Sequence, residues 1–296
     1  MFQRNKAIFI RVMDFLLHGR NILLVKFVKK RTGNDCIRSD SQKTFYENSL
    51  GMIVNSNSKF NRFRRIYNYR EIVENVTFHQ GQKYLKRITL LSLPLTSNFS
   101  KYFINDLVGK PTRYHYPNIG KVSPTTLRYI SVSLEIKKLF GDDLSGNFVE
   151  IGGGYGGQAS ILMEFFKIDN YGVYDLDNAQ ILVQKYLAKI NKENNLNMYS
   201  LRDNVNILWD LAISNYAFSE IPAELQKKYI TKVLGKSERG YMIMNSGLDN
   251  ETGRGNGKLT LGELRTLLPK FEIFEEVPKT GPDNYVIVWG HNRVVG

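Results

Sequence analysis

Cysteine occurs once in the 296-residue chain, at Cys36, which excludes an internal disulfide and any cysteine-built zinc site. That scarcity fits a reducing compartment, so the expected location is the cytoplasm. Histidine is nearly as sparse: His18, His79, His115 and His291 are scattered without metal-ligand spacing, and the expected metal is none. Long apolar runs are missing as well. Arg11, Asp14 and Arg20 interrupt the N-terminal one well short of the ~20 residues a membrane span needs. No small-residue cleavage site follows an uninterrupted apolar stretch, which speaks against a secretory signal. Internal repeats and low-complexity tracts are absent too.

Acidic residues are fewer than basic ones, and the net charge is +13. Such an excess invites a nucleic-acid or anionic-membrane reading. Its location changes that: residues 1–70 carry 15 Lys/Arg and 4 Asp/Glu, a surplus of +11, leaving +2 for the remaining 226 residues. The basic character therefore belongs to an N-terminal arm. Wound at the helical period, Phe9, Val12, Met13, Leu16, Leu23 and Phe27 share one face of that arm, with Arg4, Arg11, Asp14, His18 and Lys29 opposite. Such a segment can lie on anionic lipid or on a membrane-bound partner. The plainer alternative, a helix packed on its own domain with a solvated basic face, weighs more.

Three regions follow: a basic amphipathic arm over residues 1–70, a helical cap or linker over 71–144, and an α/β domain over 145–296. A helix-like stretch runs through FNRFRRIYNYREIVENV, and a turn-rich segment ends at RYHYPNIG. Ser123-Pro124, followed by TTLRYISVSLEIKKLFG, reads as a helix with a serine N-cap, proline in its first turn and Gly141 ending it. Beyond it, short apolar runs alternate with helical stretches, the signature of a mainly parallel sheet with crossover helices. The spacing predicts strands at 147–151, 171–175, 197–201, 211–215, 240–245, 271–277 and 284–290, and helices at 157–167, 178–190, 221–234 and 260–268. The last two strands read as a hairpin, which puts an antiparallel strand into the sheet.

The strongest local signal is FVEIGGGYGGQ, residues 148–158: a strand, a run of glycines and a helix start. Glycine is needed where a ligand lies against backbone. Two fingerprints fit. Gly152, Gly154 and Gly157 match the dinucleotide pattern G-x-G-x-x-G, whereas Glu150, Gly152, Gly154 and Gly156 match the acidic-x-G-x-G-x-G pattern of methyltransferases. Asp175, at the end of the next strand, suits either as a ribose acceptor. Three features favour the methyltransferase. Glu150 places a carboxylate where a pyrophosphate is unwelcome and the ammonium of S-adenosyl-L-methionine is welcome. Too little chain follows for a second mononucleotide half plus a substrate domain. The terminal hairpin also suits a seven-stranded methyltransferase sheet.

Particular stretches resemble bacterial sugar O-methyltransferases: GKVSPTTLRYI (120–130), FVEIGGGYGGQ (148–158), YGVYDLDNAQILVQKYL (171–187), DLAISNYAFSEIPAELQKKYI (210–230) and RGYMIMN (239–245). The resemblance covers about residues 110–290. It implies a Rossmann-like methyltransferase domain using S-adenosyl-L-methionine and acting on a sugar hydroxyl in surface-polysaccharide synthesis. By position, Glu150, Gly152, Gly154 and Gly156 become the methionine side of the cofactor site, with Tyr155 and Gln158 counted among the cofactor-binding residues. Asp175 becomes the ribose acceptor, with Leu176 a further cofactor-binding residue, Leu201 to Asp203 an edge for adenine, and Asn215 a neighbour of the reactive methyl. Ser123, Thr125, Thr126, Arg128, Tyr216, Ser219 and Asn245 fall on the acceptor side.

A sugar hydroxyl is a weak nucleophile, and a general base within reach helps. Glu220, after the fourth strand, and His115, in the aromatic segment before SPTT, are the candidates. The competing readings are a helix-terminal carboxylate for Glu220 and an ordinary packing histidine for His115. The rings of Tyr155, Tyr216 and Phe218 are candidates for stacking on a sugar, and Arg128 for holding a phosphate if the acceptor is nucleotide- or lipid-linked. The stretch 246–260 reads as a loop at the ligand edge. Partners would be a sugar or glycan acceptor and, through the arm, the inner membrane face or a membrane glycan-synthesis complex. Nucleic acid is disfavoured because the α/β half is nearly neutral, although Arg62, Arg64 and Arg65 interleave with Phe60, Phe63 and Tyr67. A nicotinamide dehydrogenase and a non-catalytic assembly protein remain as rivals.

Overall fold

The structure, a computed structural model, describes residues 35–91, 97–245, 257–282 and 284–291, with side chains from residue 45 onward except 97 and 98. Residues 1–34 of the basic arm and most of the loop expected at 246–260 lie outside the described residues, whereas residues 42–70, expected in the same arm, belong to the unit that holds the sheet and bury Leu50, Ile53, Phe63 and Tyr69. The chain divides between Ser41 and Gln42 into two units, the second of which holds the sheet. Among the described residues no helix is long and apolar enough to cross a membrane, and no group of histidine, cysteine or acidic side chains could hold a metal ion.

A single seven-stranded sheet organises the α/β half, in the order β5-β4-β3-β6-β7-β9-β8. Its members are β3 (Ser145–Ile151), β4 (Lys167–Tyr174), β5 (Leu196–Tyr199), β6 (Trp209–Asn215), β7 (Ser237–Met244), β8 (Phe271–Glu275) and β9 (Tyr285–Trp289). β3 to β7 pair in parallel, and β9 lies antiparallel between β7 and β8. All seven strands and the antiparallel last strand were legible from the apolar runs. Strand alternation divides the core into two layers. Phe148, Tyr171, Val173, Leu211, Ile213 and Val288 face one cluster; Val149, Ile151, Ala212, Met242, Ile287 and Trp289 face the other. The crossovers are α6 (Gly157–Phe165), α7 (Asp177–Lys189), the single turn α8 (Ala217–Glu220) with α9 (Ala223–Lys232), and α10 (Leu261–Leu267).

Before the sheet come α1 (Asp35–Val54), α2 (Asn57–Phe60), α3 (Tyr67–Val73), α4 (Phe78–Leu90) and α5 (Pro124–Phe140). Ser123 caps α5, its hydroxyl accepting the Thr126 N–H, and Pro124 follows as expected. Two expectations fail here. The turn-rich segment at 113–120 contains a two-stranded ribbon, β1 (Tyr114–Tyr116) with β2 (Gly120–Val122). The helix-like stretch across 60–76 is interrupted by a 3₁₀ turn at Phe63–Arg65 and extended backbone at Ile66. Helical periodicity could not anticipate that break, because Arg64 is drawn inward by Glu74 and by three partners more than forty residues away, Asn105, Asp106 and Ser123.

Arg64 is fully buried. Its Nε reaches Glu74 at 2.6 Å, and its Nη1 meets Asp106 at 3.2 Å and donates to the Asn105 carbonyl at 2.6 Å. Nη2 donates to Ser123 Oγ at 3.0 Å, and the Tyr155 ring lies 4.9 Å from the guanidinium carbon. Asp106 also accepts from the Ser123 N–H and from the Ser123 and Thr126 hydroxyls. Asn105 continues the network to Tyr155, Tyr186 and Ser160. One buried cation thus ties the N-terminal helices to the cap of α5 and to the glycine turn. Burial raises the Glu74 pKa while Arg64 pulls it down.

Removing one partner of a buried ion pair leaves the other desolvated and uncompensated, at a cost of about 3–5 kcal/mol. Arg64→Met is therefore expected to lower the unfolding free energy by about that much in urea melts. A loss below about 1 kcal/mol would mean that the network contributes no more than an exposed pair.

Candidate functional site

The turns that follow β3, β4 and β6, with Asn245 at the end of β7, gather at one edge of the sheet, the carboxyl edge, where open α/β sheets form their ligand crevice. After β3 the glycine turn runs through positive φ at Gly152 (+83°), Gly154 (+60°) and Gly156 (+89°). Gly152 cannot carry a side chain: a Cβ there would lie 2.1 Å from the Ala217 Cβ at the start of α8. At Gly154 a Cβ would meet nothing nearer than Val73 at 3.8 Å, so that side of the turn is open.

Glu150 comes just before the turn, on the face of β3 that looks toward α6 and α7, and is 2% exposed. The Tyr171 hydroxyl donates to one of its oxygens at 2.7 Å, the only hydrogen bond to this carboxyl among the described residues. Burial pushes its pKa up to about 8, Tyr171 pulls it down, and Asp175 raises it further. Tyr171 was missed in the sequence. The two predicted strands held the signal, because Glu150 pairs with Val173 and Tyr171 lies two residues earlier on the same face.

Asp175, after β4, accepts the Gly154 N–H at 3.0 Å and the Leu176 N–H at 2.7 Å. Burial moves its pKa up to about 6, against the backbone donors. Leu176 is exposed and, with Glu47, Leu50, Asp177 and Asn178, lines a cavity of about 220 Å³. Asp203 is exposed and accepts the Ser200 N–H of its own turn at 2.6 Å; no side-chain bond joins it to Asp175. Asn215 ends β6. Its Nδ2 donates to Gln158 Oε1 at 3.2 Å, while its Oδ1 is buried and has no partner among the described residues. Gln158 in turn donates to Ser133 Oγ and the Tyr129 carbonyl.

Beyond Asn215 the backbone is strained: Tyr216 adopts φ +71° and ψ −33°, at a cost of order 1–3 kcal/mol for a non-glycine residue. Its N–H is held by the Ile243 carbonyl at 2.8 Å, and its hydroxyl bonds the buried Glu276. Thr280 and Asn284 complete that cluster, which sequence reasoning missed because its parts lie some sixty residues away in the turn between β8 and β9. Ser219 Oγ accepts the Asn245 N–H at 3.1 Å, and Asn245 Nδ2 donates to Glu220 Oε1 at 2.7 Å. Desolvation of the Glu220 carboxyl raises its pKa, opposed by the Asn245 hydrogen bond and by Lys258.

The structure therefore gathers Glu150, Gly152, Gly154, Gly156, Asp175, Asn215, Tyr216, Ser219, Glu220 and Asn245 at one edge. Other expected residues turn inward. Tyr155 is fully buried, packed against Phe63, Tyr129 and Tyr186, so only its backbone borders the crevice. Phe218 is wholly in the core. Ser123 and Thr126 are consumed by the Arg64 network, and Thr125 is 1% exposed. These three have no free surface for an acceptor. His115 is exposed on the β1–β2 ribbon, paired in register with Lys121, with no hydrogen bond to any of the gathered groups. Val73, beside Gly154, was unmarked in the sequence, because a single apolar residue on a short helix carries no signal.

Strand order, glycine turn and antiparallel β9 together define the Rossmann-like methyltransferase fold. No family model matches the sequence, and no curated protein matches it. Among solved structures the chain is similar to an S-adenosylmethionine-dependent methyltransferase from Clostridium acetobutylicum, at 11% identity over 54% of this chain and 88% of that one, TM-score 0.41. It is also similar to the magnesium protoporphyrin IX methyltransferase ChlM from Synechocystis, at 13% identity over 54% of this chain and 76% of that one, TM-score 0.41. A third is TrmK of M. capricolum, at 11% identity over 53% of this chain and 66% of that one, TM-score 0.38.

The raised Glu150 pKa has a consequence for stability. Between the ordinary value of 4.5 and about 8, the folded chain keeps a proton there that the unfolded chain has released. Stability contributed by this group therefore falls as pH rises through that window. Glu150→Gln is expected to flatten the fall, the two proteins differing in slope by about one proton around neutral pH. Urea melts at several pH values measure it, and parallel curves would contradict the assignment.

Proposed function

We propose that this chain is an S-adenosyl-L-methionine-dependent O-methyltransferase whose acceptor is a sugar hydroxyl. The observation that carries the cofactor assignment is the chemistry of the donor set. The Gly154 side of the turn is open, the Asn215 carbonyl oxygen is buried without a partner, and Glu150 offers one oxygen with no donor. Two acceptor oxygens beside a glycine turn suit a cationic amino acid head group, against which the Glu150 carboxyl would ionise. Asp175 suits ribose hydroxyls, which would replace the Gly154 N–H on one oxygen. The cavity lined by Leu50 and Leu176 together with Glu47, Asp177 and Asn178 would offer a nucleoside base an apolar face with polar groups at its edge.

When bound, S-adenosyl-L-methionine supplies a methyl group activated by the adjoining sulfonium. The chain's part is positioning and proton handling. Glu150 and Asn215 Oδ1 would fix the methionyl end, and Asp175 the ribose. Glu220, with its raised pKa and its tie to Asn245, would take the hydroxyl proton from the acceptor. Its exposed place after β6 leaves room for a substrate, which the exposed ribbon carrying His115 does not bring into the crevice. The sugar acceptor is supported by the resemblance of SPTTLRY and SNYAFSE to sugar O-methyltransferases, and by the Tyr216 ring at the crevice edge. Cytoplasmic action on a glycan precursor, with the basic arm resting on the inner membrane face or on a glycan-synthesis complex, belongs to the same proposal.

Calorimetric titration with S-adenosylmethionine, S-adenosylhomocysteine and NAD tests the cofactor. The two sulfur nucleotides are expected to bind, NAD to fail, and Asp175→Ala to abolish binding. Binding of NAD alone would make the glycine turn a dinucleotide site. Glu220→Gln should lower turnover by about tenfold or more while cofactor affinity holds; unchanged turnover removes Glu220 from the mechanism.

A further inference from the structure

Arg64 and Arg128 are both withdrawn from solvent, and they are treated differently. Arg64 is fully buried and meets two carboxylates. Arg128, in the first turns of α5, is half-buried and has no carboxylate partner among the described residues. Apart from its interaction with the neighbouring Tyr129 side chain, its hydrogen bonds are long, 3.5 Å to Asn75 Oδ1 and 3.3 Å to the Val73 carbonyl, and its Nε is buried with no partner among the described residues. Two rings flank the guanidinium carbon: Tyr129 with its centroid at 5.4 Å and Tyr216 at 5.9 Å.

The nearby acids are already committed. Glu74 is taken by Arg64 at 2.6 Å. Glu276 accepts from the Tyr216 hydroxyl, from the Thr280 N–H and hydroxyl, and from Asn284 Nδ2, which fills both of its oxygens. Aromatic faces attract a guanidinium but do not satisfy its N–H groups. A cation withdrawn from water without a counter-charge is costly unless a ligand completes it. The position matters equally. Tyr216 follows Asn215 at the end of β6, and Val73 borders the open side of Gly154. Arg128 thus stands beside the crevice where the acceptor would enter.

We propose that the acceptor is anionic, carrying a phosphate ester or a carboxylate that the Arg128 guanidinium grips between Tyr129 and Tyr216. A fork of N–H donors matches either oxyanion. The proposal rests on the methyl-transfer reading for the acceptor's role, but the anion site can be measured without it. A phosphate would come from a nucleotide- or lipid-linked sugar, a carboxylate from an acidic sugar.

The experiment is calorimetry on the full chain at physiological ionic strength, with and without S-adenosylhomocysteine. The probes are glucose 1-phosphate, glucuronate and, as the neutral control, glucose. At least one charged probe is expected to bind and glucose to fail; which of the two binds distinguishes the sources. Arg128→Gln should weaken that binding by about tenfold or more, with S-adenosylhomocysteine binding retained as the check on folding. Arg128→Lys, which keeps charge and bulk but loses the fork, should weaken it by about threefold or more, so the test survives if the glutamine variant does not fold. Failure of both charged probes, or anion binding that persists in the variants, overturns the proposal. Persistent binding would belong to the basic arm, which the variants share with the native chain. Failure of S-adenosylhomocysteine alone would sink the methyl-transfer reading and leave the anion measurement standing.

Discussion

The structure depends on a buried cation. Arg64 sits at the junction of three segments distant in sequence: the 3₁₀ turn it belongs to, the Asn105–Asp106 stretch before the ribbon, and the Ser123 cap of α5. Its charge is balanced by Glu74 and Asp106, and its face is covered by Tyr155 from the middle of the glycine turn. A hydrophobic contact would hold these parts together without fixing their register. A charged fork with directional partners fixes it, because any shift leaves a donor or a carboxylate unpaired in a dry interior. The glycine turn is therefore anchored through its one non-glycine residue, and its backbone is set against the end of β4.

That anchoring explains the division of labour at the carboxyl edge. Tyr155 faces inward and holds the turn, so the glycines on either side can present bare backbone. Glu150 is held by Tyr171, Asp175 by two backbone N–H groups, and Asn215 by Gln158. Glu150 and Asn215 each keep one oxygen without a donor, whereas both Asp175 oxygens accept a backbone N–H and retain their remaining lone pairs. The strained Tyr216 fits the same logic, since its φ of +71° is maintained by the Ile243 carbonyl and by Glu276.

The sheet was legible because its strands are short apolar runs bounded by turn residues, and because glycine is conspicuous where backbone must bend. Ser123 and Gly141 marked the ends of α5 by the chemistry of caps. What was not legible shares one cause, the dependence on partners far away in the chain. Ser123 and Thr126 look like ligand-binding hydroxyls in isolation, but Arg64 and Asp106 claim them. Tyr155 looks like a pocket ring until its cage of Phe63, Tyr129 and Tyr186 is seen. Glu276 carried no local pattern at all. Periodicity reports which face is buried; it does not report which buried polar groups have found each other.

The central claim is that a neutral, buried Glu150 waits for a cationic head group. With its pKa near 8, the carboxyl holds a proton at pH 7. An ammonium placed against it would ionise it, so binding of S-adenosylhomocysteine at pH 7 should release about one proton. Binding enthalpies measured in buffers of different ionisation heat count that proton directly. A release close to one, lost in Glu150→Gln, is the predicted result. An enthalpy independent of buffer, with binding intact, would contradict the account.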